Sequence, residues 1–216
     1  EDALLDISET YEFITNDILG DVMNPWEFNI STTVDLSIEL IAGWNWLSFN
    51  VELEDASVGS LFASLGDDAT FITSQASGVS TNFGEYGWYG SLETLEPTQM
   101  YKLQMLSPAT LTIEGMPVDV ASTPISLISG WNWIGYLPQN PGDVTTALES
   151  ANDIGVYITS QSDGYAQNYG EYGWDGSLKT MHPGRGYMLK TSGAGDLIYP
   201  ESNCPEYDCA DECSGI

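Results

Sequence analysis

The chain has 216 residues, 42% of them hydrophobic and 12% aromatic, which is enough apolar mass for one or two cored domains and too much for a disordered polymer. Thirty-two acids stand against four bases, Lys102, Lys179, Arg185 and Lys190. The net charge of −28 excludes binding to a phosphate backbone or an anionic membrane, since both need a basic footprint.

Residues 1–33 open with acids and carry an alternating stretch, Tyr11-Glu12-Phe13-Ile14, then a turn at Asn24-Pro25-Trp26. They read as an N-terminal arm or the end of a preceding β-domain, because so short a piece cannot hold a core. The start at Glu1 suits a processed or excerpted product.

A first module is expected over 34–118. Leu36-Ser37-Ile38-Glu39-Leu40 and Trp44–Phe49 alternate with period two, as half-buried strands do. Val58, Leu61, Phe62 and Leu65 form the apolar stripe of a short helix, capped by Asp55 or Ser57 and ended by Gly66. Strands follow at Thr70–Ser74, Val79–Phe83, Tyr86–Tyr89, Met100–Met105 and Thr110–Ile113. Pro117 and Asp119–Thr123 make a short linker.

The second module, 119–200, says the same thing again. Gly43-Trp44-Asn45-Trp46 returns as Gly130-Trp131-Asn132-Trp133 after 87 residues. Ile72-Thr73-Ser74-Gln75 returns as Ile158-Thr159-Ser160-Gln161 after 86, and Asn82–Leu92 as Asn168–Leu178. Repeats of this length are tandem domains rather than solenoid units of roughly 20–50 residues. The second helix is expected over Val144–Ser150, capped by Asp143, with strands at Gly155–Ser160, Ala166–Tyr169, Tyr187–Lys190 and Asp196–Tyr199. The fold class is α+β, mostly antiparallel β, with one short helix in each of two homologous modules. The uncharged run Val120–Gly142 is no membrane span, because Pro124, Pro138 and Pro141 interrupt it.

Residues 201–216 form an acidic tail holding the three cysteines, Cys204, Cys209 and Cys213. The odd number implies one disulfide and one thiol whose partner lies elsewhere, the rival reading being a zinc site that recruits His182.

Two kinds of site suggest themselves. The repeated Gly-Glu-Tyr-Gly-Trp loops are expected to display Glu85, Tyr86 and Trp88, and again Glu171, Tyr172 and Trp174, as contact residues. Trp46 and Trp133 are expected in the core. On one reading the loops join modules or chains; on the other, Trp88 and Trp174 stack on sugars while Asn82 and Asn168 bond hydroxyls, with avidity from the duplication. Oxygen-rich turns at Asp67-Asp68 and Asp153, and Asp208 and Asp211 in the tail, are candidate calcium ligands. Recurring acids stand singly, whereas a retaining glycosidase needs two carboxyls about 5–5.5 Å apart, and no nucleophile elbow is present, so no enzyme is expected. The acidity favours a saline, calcium-containing extracellular medium, against the plainer reading that the acids serve solubility alone.

The series Leu-Ile-X-Gly-Trp-Asn-Trp, a helix, Tyr-Gly-Trp-X-Gly-Ser-Leu, then Pro-Gly-X-Gly-Tyr-Met-Leu-Lys resembles a module repeated in very large secreted cell-surface and adhesion proteins of marine gliding bacteria. Acidic cysteine segments similar to Cys204–Gly215 follow such arrays. The resemblance covers most of the chain, and module one departs from it at Thr98-Gln99-Met100. It implies an excerpt of a long secreted surface or appendage protein, a fibre, filament or hook-like segment, whose partners are itself and neighbouring domains, or a glycan on another surface.

Overall fold

The first half of the chain runs β1 (Val34–Leu40), β2 (Gly43–Leu47), α1 (Val58–Leu61), β3 (Ala69–Thr73), β4 (Val79–Asn82), β5 (Trp88–Gly90), β6 (Tyr101–Met105) and β7 (Ala109–Gly115) in the computed structural model, which describes residues 33–201. The second half runs β8 (Ile125–Leu127), β9 (Gly130–Ile134), β10 (Gly142–Asp143), α2 (Val144–Ala147), β11 (Gly155–Thr159), β12 (Tyr165–Asn168), β13 (Trp174–Gly176), β14 (Thr180–Met181), β15 (Tyr187–Thr191) and β16 (Gly195–Leu197). All strand pairs are antiparallel. The expectations for 1–32 and for the tail, including its cysteines and Asp208 and Asp211, fall outside the described residues.

Each half contains a five-stranded sheet, in the order β2-β6-β3-β4-β5 and β9-β15-β11-β12-β13. Beside each lies a two-stranded ribbon, β1-β7 or β8-β16. The alternation of β1 puts Leu36, Ile38 and Leu40 on one face, with Leu36 opposite Ile113 and Ile38 opposite Leu111. These side chains join Leu47, Phe49, Phe62, Ile72 and Leu103 in one core. A second core gathers Ile125, Ile134, Tyr136, Leu148, Ile158, Leu189 and Leu197. The described residues all lie in one compact unit, Thr32–Ile216, so the two cores belong to a single body.

The helices are shorter than expected. Ser57 caps α1 by accepting from the Ser60 N–H, and the Asp143 carboxylate accepts from Thr145 at 2.8 Å and Thr146 at 3.3 Å to start α2. Both helices then tighten into 3₁₀ turns, Ala63–Asp68 and Glu149–Ala151. The expected stripe still faces inward, with Val58, Phe62 and Leu65 buried. Tyr86 belongs to a 3₁₀ turn, Gly84–Tyr86, rather than to a strand, and β13 is a strand absent from the sequence reading.

The Trp-Asn-Trp segments face the opposite way to the expectation. Asn45 and Asn132 are buried, while Trp44 and Trp131 are exposed and Trp46 and Trp133 half-buried on the outer face. The buried amide is fully engaged. Asn45 Oδ1 accepts from the Ile41 N–H at 2.8 Å, and its Nδ2 donates to the carbonyls of Ile41 and Gly43 at 2.8 and 3.2 Å. Asn132 repeats this with Ile128 and Gly130. The asparagine thus closes the turn into the strand at no cost in unpaired polar groups, leaving the indoles outside.

Candidate functional site

The repeated aromatic loops are held from beneath by asparagine. Asn82 Nδ2 donates to the carbonyls of Gly66 and Ala69, and its Oδ1 accepts from the Gly84 N–H at 3.0 Å. Asn168 makes the matching bonds to Asn152, Gly155 and Gly170. Both amides are therefore occupied within the fold and are not available to a sugar hydroxyl. What the loops display is tyrosine, Tyr86 at 71% and Tyr172 at 91% exposure, with Glu85 and Glu171 exposed beside them.

The expectation that both loop tryptophans are displayed is corrected. Trp174 is buried at 6%, and its indole N–H donates to Asn152 Oδ1 at 2.7 Å. Trp88 is half-buried, its ring 5.7 Å from Phe62. The physical reason is the three-residue strand. Asn82 and Asn168 pair with Trp88 and Trp174, which places the indoles on the core side and Tyr89 and Asp175 on the outer side.

Among the described residues no group of three or more His, Cys, Asp or Glu side chains is gathered as a metal ion requires. Asp68 accepts from the Ser107 hydroxyl at 2.5 Å, while Asp67 and Asp153 stand exposed. His182 is half-buried, and burial first, then the Arg185 charge, holds its imidazole below its ordinary pKa.

The residues that do converge lie at the seam between the halves, and they do so twice. Gln161 Oε1 accepts from the Trp46 N–H at 2.5 Å, and its Nε2 donates to the Trp44 carbonyl at 2.5 Å. Gln75 does the same to Trp133 and Trp131, at 2.6 and 2.6 Å. Next along β2, the Ser48 N–H donates to Gly184 and the Trp46 carbonyl accepts from Gly186. Along β9, the Gly135 N–H donates to Thr98 and the Trp133 carbonyl accepts from Met100. These contacts are reciprocal, as in an isologous dimer interface. Each half lays a glutamine and a turn along the outer edge of the other's sheet, so neither β2 nor β9 is left as an open edge.

The turns 97–100 and 183–186 thereby acquire a role the sequence did not suggest. Glycine is required where the backbones meet. A Cβ on Gly135 would lie 2.1 Å from the Pro97 carbonyl oxygen, and one on Gly186 would lie 2.0 Å from Met100 Cγ. The seam is chemically uneven despite its symmetry. The Lys102 ammonium lies 4.7 Å from the centre of the Trp46 ring and 4.3 Å from that of Trp133, a cation between two indoles. Met188 stands at the matching place in β15, so only one charge enters. Arg185 pairs with Asp163 where the other half has Gln99 and Ser77. Burial pushes the Asp163 carboxyl up, and the bond and charge from Arg185 outweigh that and hold it below the ordinary value. A cleft of about 250 Å³ opens here, lined by Ile38, Leu40, Gln161, Asp163 and Arg185.

Comparison with protein-family models, curated proteins and solved structures gives no match. Among the described residues, no helix is long and apolar enough to cross a membrane.

Proposed function

We propose that this chain is a structural and adhesive segment of a secreted cell-surface protein, made of two tandem homologous α+β modules and working without catalysis. The observation that carries the reading is the reciprocal seam. The residues that recur most faithfully, Asn45/Asn132, Gln75/Gln161 and Asn82/Asn168, are engaged in holding strands, turns and halves in place. Repetition on this view preserves a rigid spacer that resists load, because separating the halves means breaking backbone bonds on both sheet edges together. The tyrosines left outside, Tyr86 and Tyr172, supply contacts to neighbouring copies or surfaces at little entropic cost. Acids dispersed over the surface suit a saline setting in which calcium acts as a screening counter-ion. The resemblance to repeats of surface proteins of gliding marine bacteria agrees with this.

The test is immunogold labelling of intact and of thin-sectioned source cells with antibodies raised against residues 33–201, read by electron microscopy. Gold along fibres or at the cell surface is the expected result. Label confined to the cell interior overturns the proposal.

A further inference from the structure

The outer faces of the two five-stranded sheets carry a line of aromatic rings that reaches from one half to the other. Cross-strand register places Trp44, Gln104, Phe71, Thr81 and Tyr89 in one row, and Trp46, Lys102, Thr73 and Val79 in the next. The second sheet matches them with Trp131, Lys190, Tyr157, Gln167 and Asp175, and with Trp133, Met188, Thr159 and Tyr165. The rings meet in groups along these rows. Phe71 meets Trp44 edge-on at 6.0 Å, and Trp46 and Trp133 close on Lys102 at the seam. Trp131 meets Tyr157 edge-on at 6.0 Å, and Tyr157 stacks on Tyr165 at 5.2 Å with planes 14° apart. Trp44 and Trp46, like Trp131 and Trp133, are two residues apart on one strand and share a face, which joins these contacts into a single track.

The track is open at some of its rings and half-covered at Phe71, Trp46, Trp133 and Tyr157. Trp44 and Trp131 are each 43% exposed and Tyr165 47%. A contiguous aromatic surface of this kind marks a binding face more often than an accident of packing. Its charge is as unusual as its rings. In a chain with 32 acids and four bases, these rows hold one acid, Asp175, already paired with Lys179. They also hold two of the bases, Lys102 and Lys190, neither in an ion pair with a described residue. Among the described residues, acids are thus nearly absent from the track.

We propose that the track binds an extended, uncharged polysaccharide of pyranose rings. The field of a −28 chain repels a polyanion, and a polycation is drawn to acids rather than to a face that carries two lysines and one paired acid. A neutral sugar chain meets neither obstacle. The apolar C–H faces of its rings stack on Trp44 and Trp131, with the Tyr157–Tyr165 pair flanking them, while Gln104, Gln167, Thr159 and Lys190 offer hydrogen bonds to its hydroxyls. The site differs from the Gly-Glu-Tyr-Gly-Trp loops, whose tryptophans point inward, and it stands whether or not the segment belongs to a fibre.

The experiment titrates the 216-residue chain with neutral hexasaccharides of glucose, mannose, xylose and N-acetylglucosamine, and with alginate as a charged control, following tryptophan fluorescence and calorimetry. Saturable binding of at least one neutral hexasaccharide is expected. Trp131→Ala should weaken it at least tenfold in a variant that still melts cooperatively well above the assay temperature, Lys190→Gln two- to fivefold, and Trp88→Phe not at all. The proposal is overturned if no neutral sugar binds at millimolar concentration, if alginate alone binds, or if Trp131→Ala keeps full affinity. It is equally overturned if Trp131→Ala instead abolishes self-association in sedimentation, for then the track is covered by a second copy.

Discussion

Met100 and Gly186 occupy matching positions in the two halves and meet at the seam, where the methionine side chain fills the space that a Cβ on the glycine would take, 2.0 Å from Met100 Cγ. The pair is a knob against a hole, and the backbone at this point has little room to withdraw, since the Leu47 carbonyl oxygen lies 3.0 Å from the same place. Gly186→Ala is therefore expected to cost about 1–3 kcal/mol through overpacking. Combined with Met100→Ala, the loss should be smaller than the sum of the two single losses. A double-mutant cycle by urea denaturation measures that coupling, and strict additivity would place the clash elsewhere.

Gln161 and Gln75 each hold one edge strand of the other half, so their loss should be felt at separate places. Replacing either by alanine is expected to cost about 1–3 kcal/mol, since two net hydrogen bonds are exchanged for bonds to water. Amide exchange supplies the sharper readout. Gln161→Ala should speed exchange at Trp46 and leave Trp133 protected, and Gln75→Ala should do the reverse.

The loop tryptophans predict an asymmetry between otherwise matching positions. Trp174→Phe removes the bond to the exposed Asn152 and opens space beside Gly155, at about 1–3 kcal/mol. Gly66 stands where Asn152 stands in the other half, so Trp88→Phe loses no such bond and should cost distinctly less. Thermal melts of the two variants compare them directly. Equal shifts would mean that the Asn152 bond contributes nothing.

Alkali should unfold this protein through its buried phenols. Burial pushes Tyr101 and Tyr187 up to about 12, and raises Tyr136 and Tyr199 in the same direction. A phenol that holds its proton longer when folded stabilises the fold fully below its ordinary pKa of 10.0. That contribution is lost as pH rises from 10.0 towards about 12, because the unfolded chain has by then released the proton. Urea midpoints measured from pH 8 upward should be flat to about 10 and then fall. Tyr187→Phe, though less stable throughout for want of the bond from the His182 N–H at 2.8 Å, should fall less steeply.

Strand positions were legible from two signals: β1 falls where period two places it, and β4, β6 and β15 fall on the segments between glycine and proline turns. Alternation does not say which face is inside, and there the reading of Trp46 and Trp133 failed. Apolar size argued for the indoles, whereas a single asparagine that satisfies its whole amide on the adjacent turn is the better core residue. The recurrence of Asn45, Gln75 and Asn82 was itself the available signal, since polar residues kept in both copies within strand-like stretches are bonding to something fixed. The seam was not legible at all. Its turns differ between the copies, Thr98-Gln99-Met100 against Gly184-Arg185-Gly186, and only the three-dimensional pairing shows that the difference is complementary.

The way β2 and β9 shelter one another carries a rule about number. A solitary copy would keep its glutamine and turn but have no counterpart for them to lie against, and its own boundary strand would stand bare to solvent. Halves joined in this fashion hold as a couple, and cutting the chain between them would leave a sticky terminus on each.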